Sequence, residues 1–124
     1  MSEEIKNILI KAKQNLIDFG VGGGSVVEPD GHVCALGAIY IAEGIIERVL
    51  DQNNNYWDYR VVGMNKEDWH NYPDTEAVQA LAHATTFRTH GTSASAAVYR
   101  WNDRIVSHHP NAVIAGFDRA IEAQ

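Results

Sequence analysis

The chain is short of three features that would mark an exported or membrane-bound protein. It has one cysteine, Cys34, so no disulfide can form within the chain, as is usual in a reducing compartment. Its apolar runs are far shorter than the roughly 20 residues that cross a bilayer. The start, Met1–Lys6, is acidic and amphipathic, unlike a secretory signal. These absences predict a cytoplasmic protein that does not bind membranes.

Positive charge is also scarce, with 10 Lys and Arg against 16 Asp and Glu and a net charge of −6. Proteins that bind nucleic acids neutralise phosphates with a basic surface, so we expect no nucleic-acid partner. The imbalance is uneven: residues 1–76 hold 13 acids against 6 bases, and residues 77–124 hold 3 acids against 4 bases. An anionic ligand is therefore better accommodated by the C-terminal third.

Helical periodicity is what the sequence does have. Apolar residues at three- and four-residue steps, together with capping residues, predict a mainly α, single-domain protein over residues 1–124. We expect about five helices and at most a small two-stranded β element, in which Tyr59–Val62 pairs with Ser25–Glu28. The predicted helices cover about residues 3–19, 33–50, 75–88, 92–101 or beyond, and 110 to the end.

The predicted helix at about 33–50 is the centre of this arrangement. Its first half, His32–Gly44, has apolar residues on every side, so the helix needs to be covered by its neighbours. Gly37 and Ala38 are small, which suits a neighbouring helix that crosses closely.

Two motifs carry a resemblance to a known family. They are Cys34-Ala-Leu-Gly-Ala-Ile39 and Trp101-Asn-Asp103, the latter read as a turn before a closing helix, Val113–Ala120. With these motifs in this order, the chain resembles a family of small uncharacterised proteins from bacteria and their phages. The resemblance implies the order of elements and a phage or phage-derived origin. It implies no activity, because the family is one of unknown function.

Cys34 has two interpretations. A thiol at the start of a buried helix can be an activated nucleophile, since the helix N-terminus lowers its pKa. Such a nucleophile needs an imidazole and an orienting group. Asp103 or Asn102 could orient the imidazole, and the candidate histidines are His32, His70, His83, His90, His108 and His109. Cysteine is also among the most frequently buried residues, and we favour a core role.

We expect neither a metal nor a cofactor. His83 and His90, if both are helical, lie about 10 Å apart along the axis, which is too far for one ion. His108 and His109 are neighbours and point in different directions. The glycines of Val21–Ser25 favour a linker over a phosphate-binding loop, because no Walker-type lysine follows them.

Two groups of residues are candidates for binding. Trp101 could stack on a ligand while Asn102 and Asp103 bind its polar edge, or the three could be purely structural. Trp57, Trp69 and Tyr72 could line a partner surface, or could hold residues 56–74 onto the core.

Together these observations predict a small non-catalytic protein that binds a protein partner or a small anionic ligand, for example as an inhibitor or sequestering protein. One alternative is a cysteine-dependent hydrolase or transferase that uses Cys34 and Asp103. Another is an accessory protein that works as a homo-oligomer.

Overall fold

The computed structural model describes residues 3–69, 72–86 and 92–124. These residues contain six helices and one β-hairpin, joined by loops. The predicted mainly α fold with a small two-stranded sheet is confirmed. In chain order the elements are α1 (Glu3–Phe19), α2 (Ala35–Ala42), β1 (Ile46–Asp51), β2 (Tyr56–Val61), α3 (Lys66–Trp69), α4 (Glu76–Thr85), α5 (Ala94–Val106) and α6 (Pro110–Glu122).

Local signals in the sequence fix where several helices begin. The Thr75 hydroxyl accepts a hydrogen bond from the Val78 amide and caps α4. The Ser93 hydroxyl does the same for α5, and Pro110 opens α6, where a missing amide proton costs nothing. These starts agree with the predicted ones.

The central helix is shorter than the predicted 33–50. Every residue from Ala35 to Tyr40 is buried, but α2 ends at Ala42 and Gly44 follows with a φ of +76°. That left-handed conformation suits glycine and stops a helix. The second half of the predicted helix was wrong: its β-branched residues, including Ile46 and Val49, form β1.

The hairpin also corrects the predicted strand pairing. β2 pairs antiparallel with β1, in a register that runs from Ile46 opposite Val61 to Asp51 opposite Tyr56. The pairing of Tyr59–Val62 with Ser25–Glu28 was therefore wrong. The Asp51 carboxylate accepts hydrogen bonds from the Asn53 and Asn54 amides, at 3.0 and 3.2 Å, and these bonds order the tight turn.

The packing around α2 positions the candidate sites. α1, α4 and α5 all contact α2, and a methyl group added at Gly37 would overlap the carbonyl of Val26. The segment before α2 therefore lies directly against the helix. None of the helices in the described ranges is both long and apolar enough to cross a bilayer.

Candidate functional site

Cys34 occupies the N-cap of α2. Its thiol is buried, and Sγ accepts a hydrogen bond from the Gly37 amide at 3.5 Å. Burial raises the pKa of the Cys34 thiol to about 11, and the nearby Asp103 carboxylate adds to the rise. Desolvation outweighs the hydrogen bonds that favour the thiolate. The thiol is therefore neutral at physiological pH and covered by the core.

No described histidine hydrogen-bonds the Cys34 thiol. The exposed His32 ring lies 3.4 Å from the Asp30 carboxylate instead. His83 lines a hollow with Ile5 and Gln124 at another part of the surface, and His108 and His109 lie between α5 and α6. The other two candidates, His70 and His90, lie outside the described residues. Within those residues no three His, Cys, Asp or Glu side chains are grouped so as to hold a metal ion.

Asn102 joins three parts of the chain at the buried side of α5. Its Oδ1 accepts a hydrogen bond from the Ala35 amide, and its Nδ2 donates to the Gly22 carbonyl, both at 2.9 Å. Asn102 is fully buried, so both bonds form away from water. This side chain fixes the glycine-rich loop and the first residue of α2 to α5.

Trp101 and Asp103 complete the motif in different ways. The Trp101 indole is 3% exposed and packs against Gly116 of α6, so it belongs to the core. The Asp103 carboxylate accepts a hydrogen bond from the Gly24 amide at 2.9 Å. The prediction of a turn at Trp101–Asp103 was wrong, because all three residues lie inside α5; the helical periodicity continues to Val106.

The glycine-rich loop directs its amides at carboxylates of the protein itself. Gly23 donates to Glu28 Oε1 at 2.7 Å, and Gly24 donates to Asp103. An incoming phosphate would need to displace both negatively charged groups. The geometry thus favours a structural loop.

Trp69 is the centre of an aromatic cluster. Its ring lies 5.1 Å from Tyr40, 5.7 Å from Tyr59 and 5.3 Å from Tyr72, measured between ring centroids. The Tyr40 hydroxyl donates to the Pro73 carbonyl at 2.8 Å, and burial raises the pKa of Tyr40. Trp69 and Tyr72, both candidates from the sequence, are brought together here.

Trp57 is separate from that cluster. The Arg48 guanidinium lies between the rings of Phe19 and Trp57, 4.1 and 3.8 Å from their centroids. Arg48 Nε donates to the Gly31 carbonyl at 2.9 Å. This cation–π contact holds the hairpin against the end of α1 and the loop before α2.

An open hollow of about 600 Å³ lies between β2 and α3. It is lined by four consecutive strand residues and two residues of α3, which are Asp58, Tyr59, Arg60, Val61, Lys66 and Trp69. Only Trp69 was a candidate from the sequence. The alternation of apolar residues with Asp58 and Arg60 along Trp57–Val61 could have indicated the others, had the strand been predicted with its correct start.

Comparison with known proteins identifies the family. A model described as a family of unknown function (DUF6197) matches residues 1–123, so the chain belongs to that family. No curated protein and no solved structure matches the chain. The aromatic cluster and the hollow beside it therefore have to be interpreted from their own geometry.

Proposed function

We propose that the protein is a non-catalytic interaction module that binds an extended segment of a partner protein along the outer edge of β2. The observation that carries this proposal is the hollow between β2 and α3, which follows an edge of β2 that has no further strand beside it in the described residues. Extended peptides bind such edges by adding a strand, so that backbone hydrogen bonds supply affinity.

The register identifies which backbone groups face the hollow. The Trp57 amide donates to the Pro29 carbonyl rather than to β1, so Trp57 directs its backbone away from β1. Backbone direction alternates along a strand, and therefore Tyr59 and Val61 also face outward. The Tyr59 amide donates to the Asp58 carboxylate at 2.8 Å, a bond that an added strand would replace. The sheet of the described residues has no third strand beyond them.

The side chains around this edge favour a mostly apolar peptide. Tyr59, Val61 and Trp69 offer aromatic and aliphatic surface, and aromatic side chains dominate the energetics of many interfaces. Lys66 and Asp58 provide charge at the rim. We expect a bound segment with apolar residues at alternate positions, because every second side chain of an added strand points to the same face.

The state of Cys34 supports a binding role over the cysteine-dependent hydrolase or transferase. A buried, neutral thiol without a described imidazole partner lacks the arrangement that activates a nucleophile. The proposal includes a cytoplasmic location, which the single free cysteine favours.

The test is selection of linear peptides from a displayed random library on the immobilised protein. We expect recovered peptides with alternating apolar residues that shift the backbone amide signals of Tyr59 and Val61 in NMR spectra. Val61→Pro removes an outward amide and should weaken binding about tenfold or more, through the lost hydrogen bond and the clash of the ring.

Leu50→Pro is the matched control. Leu50 lies opposite Trp57 in the register, so its amide points outward from the other edge of the hairpin. The control should bind the peptides like the unmodified protein, and circular dichroism should show that both variants fold. Failure to recover any peptide, or equal binding by Val61→Pro and Leu50→Pro, would refute strand addition at β2.

A further inference from the structure

Helices α1 and α6 lie side by side and antiparallel. The Lys13 ammonium and the Asp118 carboxylate form an ion pair at 2.6 Å near the middle of both helices. Ile5 and Gln124 line the same hollow, so the end of α6 lies beside the beginning of α1. Along the helix axes, residues of α1 that precede Lys13 are thus level with residues of α6 that follow Asp118.

This register places four isoleucines in two level pairs. Ile10 is three residues before Lys13, and Ile121 is three residues after Asp118, so these two are level. Ile17 is four residues after Lys13, and Ile114 is four residues before Asp118, so these two are level as well. Ile10 and Ile17 are 44% and 53% exposed, and Ile114 and Ile121 are partly exposed. We name Ile10, Ile17, Ile114 and Ile121 the isoleucine face.

We propose that the isoleucine face is the docking site for a second copy of this chain. A two-fold axis parallel to the helices would place α1 of one copy over α6 of the other. Because the isoleucine pairs are level, each pair would meet the same pair of the second copy. The result is an antiparallel four-helix arrangement with two layers of four isoleucines, a geometry typical of helix bundles.

The charges on the two helices favour a second copy over an unrelated helix. On the flank beside the isoleucines α1 carries Lys6 and Lys13, and α6 carries Asp118 and Glu122. In the two-fold arrangement Lys6 and Lys13 of each copy face the acidic pair on α6 of the other. Between the isoleucine layers, two Lys13–Asp118 pairs would form a ring of alternating charge.

The size of the face indicates a weak dimer. The shorter helix, α6, has 13 residues and is about 20 Å long, and two helix diameters give a width of about 20 Å. A footprint of this size buries about 800 Å² in total over the two copies, less than the roughly 1,200–2,000 Å² of stable interfaces, and corresponds to a transient contact. We therefore expect a dimer that forms at micromolar concentrations and above.

Sedimentation equilibrium of the purified chain at about 5 to 500 µM tests the proposal, a range that spans the micromolar affinities of small interfaces. The apparent mass should rise from 13.7 kDa toward twice that value. Ile17→Glu places two charges, one from each copy, in the layer formed by Ile17 and Ile114 and should weaken association about 100-fold.

Val62→Glu is the matched control, because Val62 is 51% exposed and lies beyond the hairpin rather than on α1 or α6. It should leave dimerisation unchanged. Lys13→Asp combined with Asp118→Lys reverses both members of the ion pair and should also retain the dimer. A mass of 13.7 kDa at every concentration, or a dimer unaffected by Ile17→Glu, would overturn the proposal.

Discussion

At the scale of single residues, Cys34 shows how position decides chemistry. The residue caps a helix, where the backbone favours a thiolate, but the surrounding core removes water from the sulfur. Desolvation is the larger effect, so the pKa of the Cys34 thiol rises rather than falls. The sequence could identify both influences, whereas only the packing shows which one is stronger.

The raised pKa of Cys34 predicts a loss of stability at alkaline pH. Between the unfolded value of 9.0 and the folded value of about 11, the unfolded chain gives up the thiol proton while the native chain keeps it. The free energy of unfolding should therefore fall as the pH rises from 9 to 11, by about 2 kcal/mol from this group.

Cys34→Ser isolates this contribution in urea titrations at several pH values. Tyr40 also has a raised pKa, but it is present in both proteins, so its effect cancels in the difference. The stability of the serine variant should decline less than that of the unmodified protein between pH 9 and 11. Parallel declines would show that the thiol ionises normally in the native state.

Among the elements, α2 and the segment before it make a close backbone contact. A side chain at Gly37 would overlap the Val26 carbonyl, which is backbone and cannot rotate away. The close approach at Gly37 is therefore made by the bend at Val26, not by the helix that the small residues predict, and α2 is covered by more than helices.

Gly37→Ala should destabilise the protein by about 3 kcal/mol, because α2 and the Val26 segment have to separate. Gly44→Ala is the control: its φ is +76° and no atom lies within 4 Å of an added methyl group. It should cost only about 1–2 kcal/mol, the strain of a left-handed alanine. Urea unfolding measures both values, and equal losses would contradict the steric argument.

At the scale of the whole molecule, a few long-range hydrogen bonds connect elements that the sequence separates widely. The hydrogen bond between Asn102 and Ala35 joins residues 67 positions apart, and the bond between Asn102 and Gly22 joins residues 80 positions apart. Asp74 similarly accepts bonds from the Ala94 and Ser95 amides at the start of α5. These contacts set the relative positions of α2, α5 and the loops.

Asn102→Ala should lower the free energy of unfolding by about 3 kcal/mol, since it leaves the buried Ala35 amide and the Gly22 carbonyl without partners. Arg104→Ala, an exposed change on the same helix, should stay within about 0.5 kcal/mol. Urea unfolding followed by circular dichroism measures both. A loss under about 1 kcal/mol for Asn102→Ala would mean that water replaces the amide.

Local patterns in the sequence were enough to predict most of the helices of this protein. The apolar stripe of α1, a capping residue at 74 or 75 and at 92 or 93, and Pro110 or Asn111 were sufficient to predict helices, because helix formation depends on residues three or four positions apart. Gly44 can end a helix, and the asparagine-rich segment after Asp51 favours a turn. However, the apolar residues from Val33 to Leu50 also fit the spacing of one long helix over much of that range, so the sequence did not distinguish the two arrangements.

The separation of the candidate residues into core and surface groups depends on long-range packing. This packing places Trp101 in the core, Trp57 against Arg48, and Trp69 with Tyr72 beside the edge of β2. In the fold, β2 pairs with β1 and not with the predicted segment Ser25–Glu28. Strand pairing and aromatic packing join residues that are distant in the chain. Their energies depend on the neighbouring side chains and on how much apolar surface the fold buries.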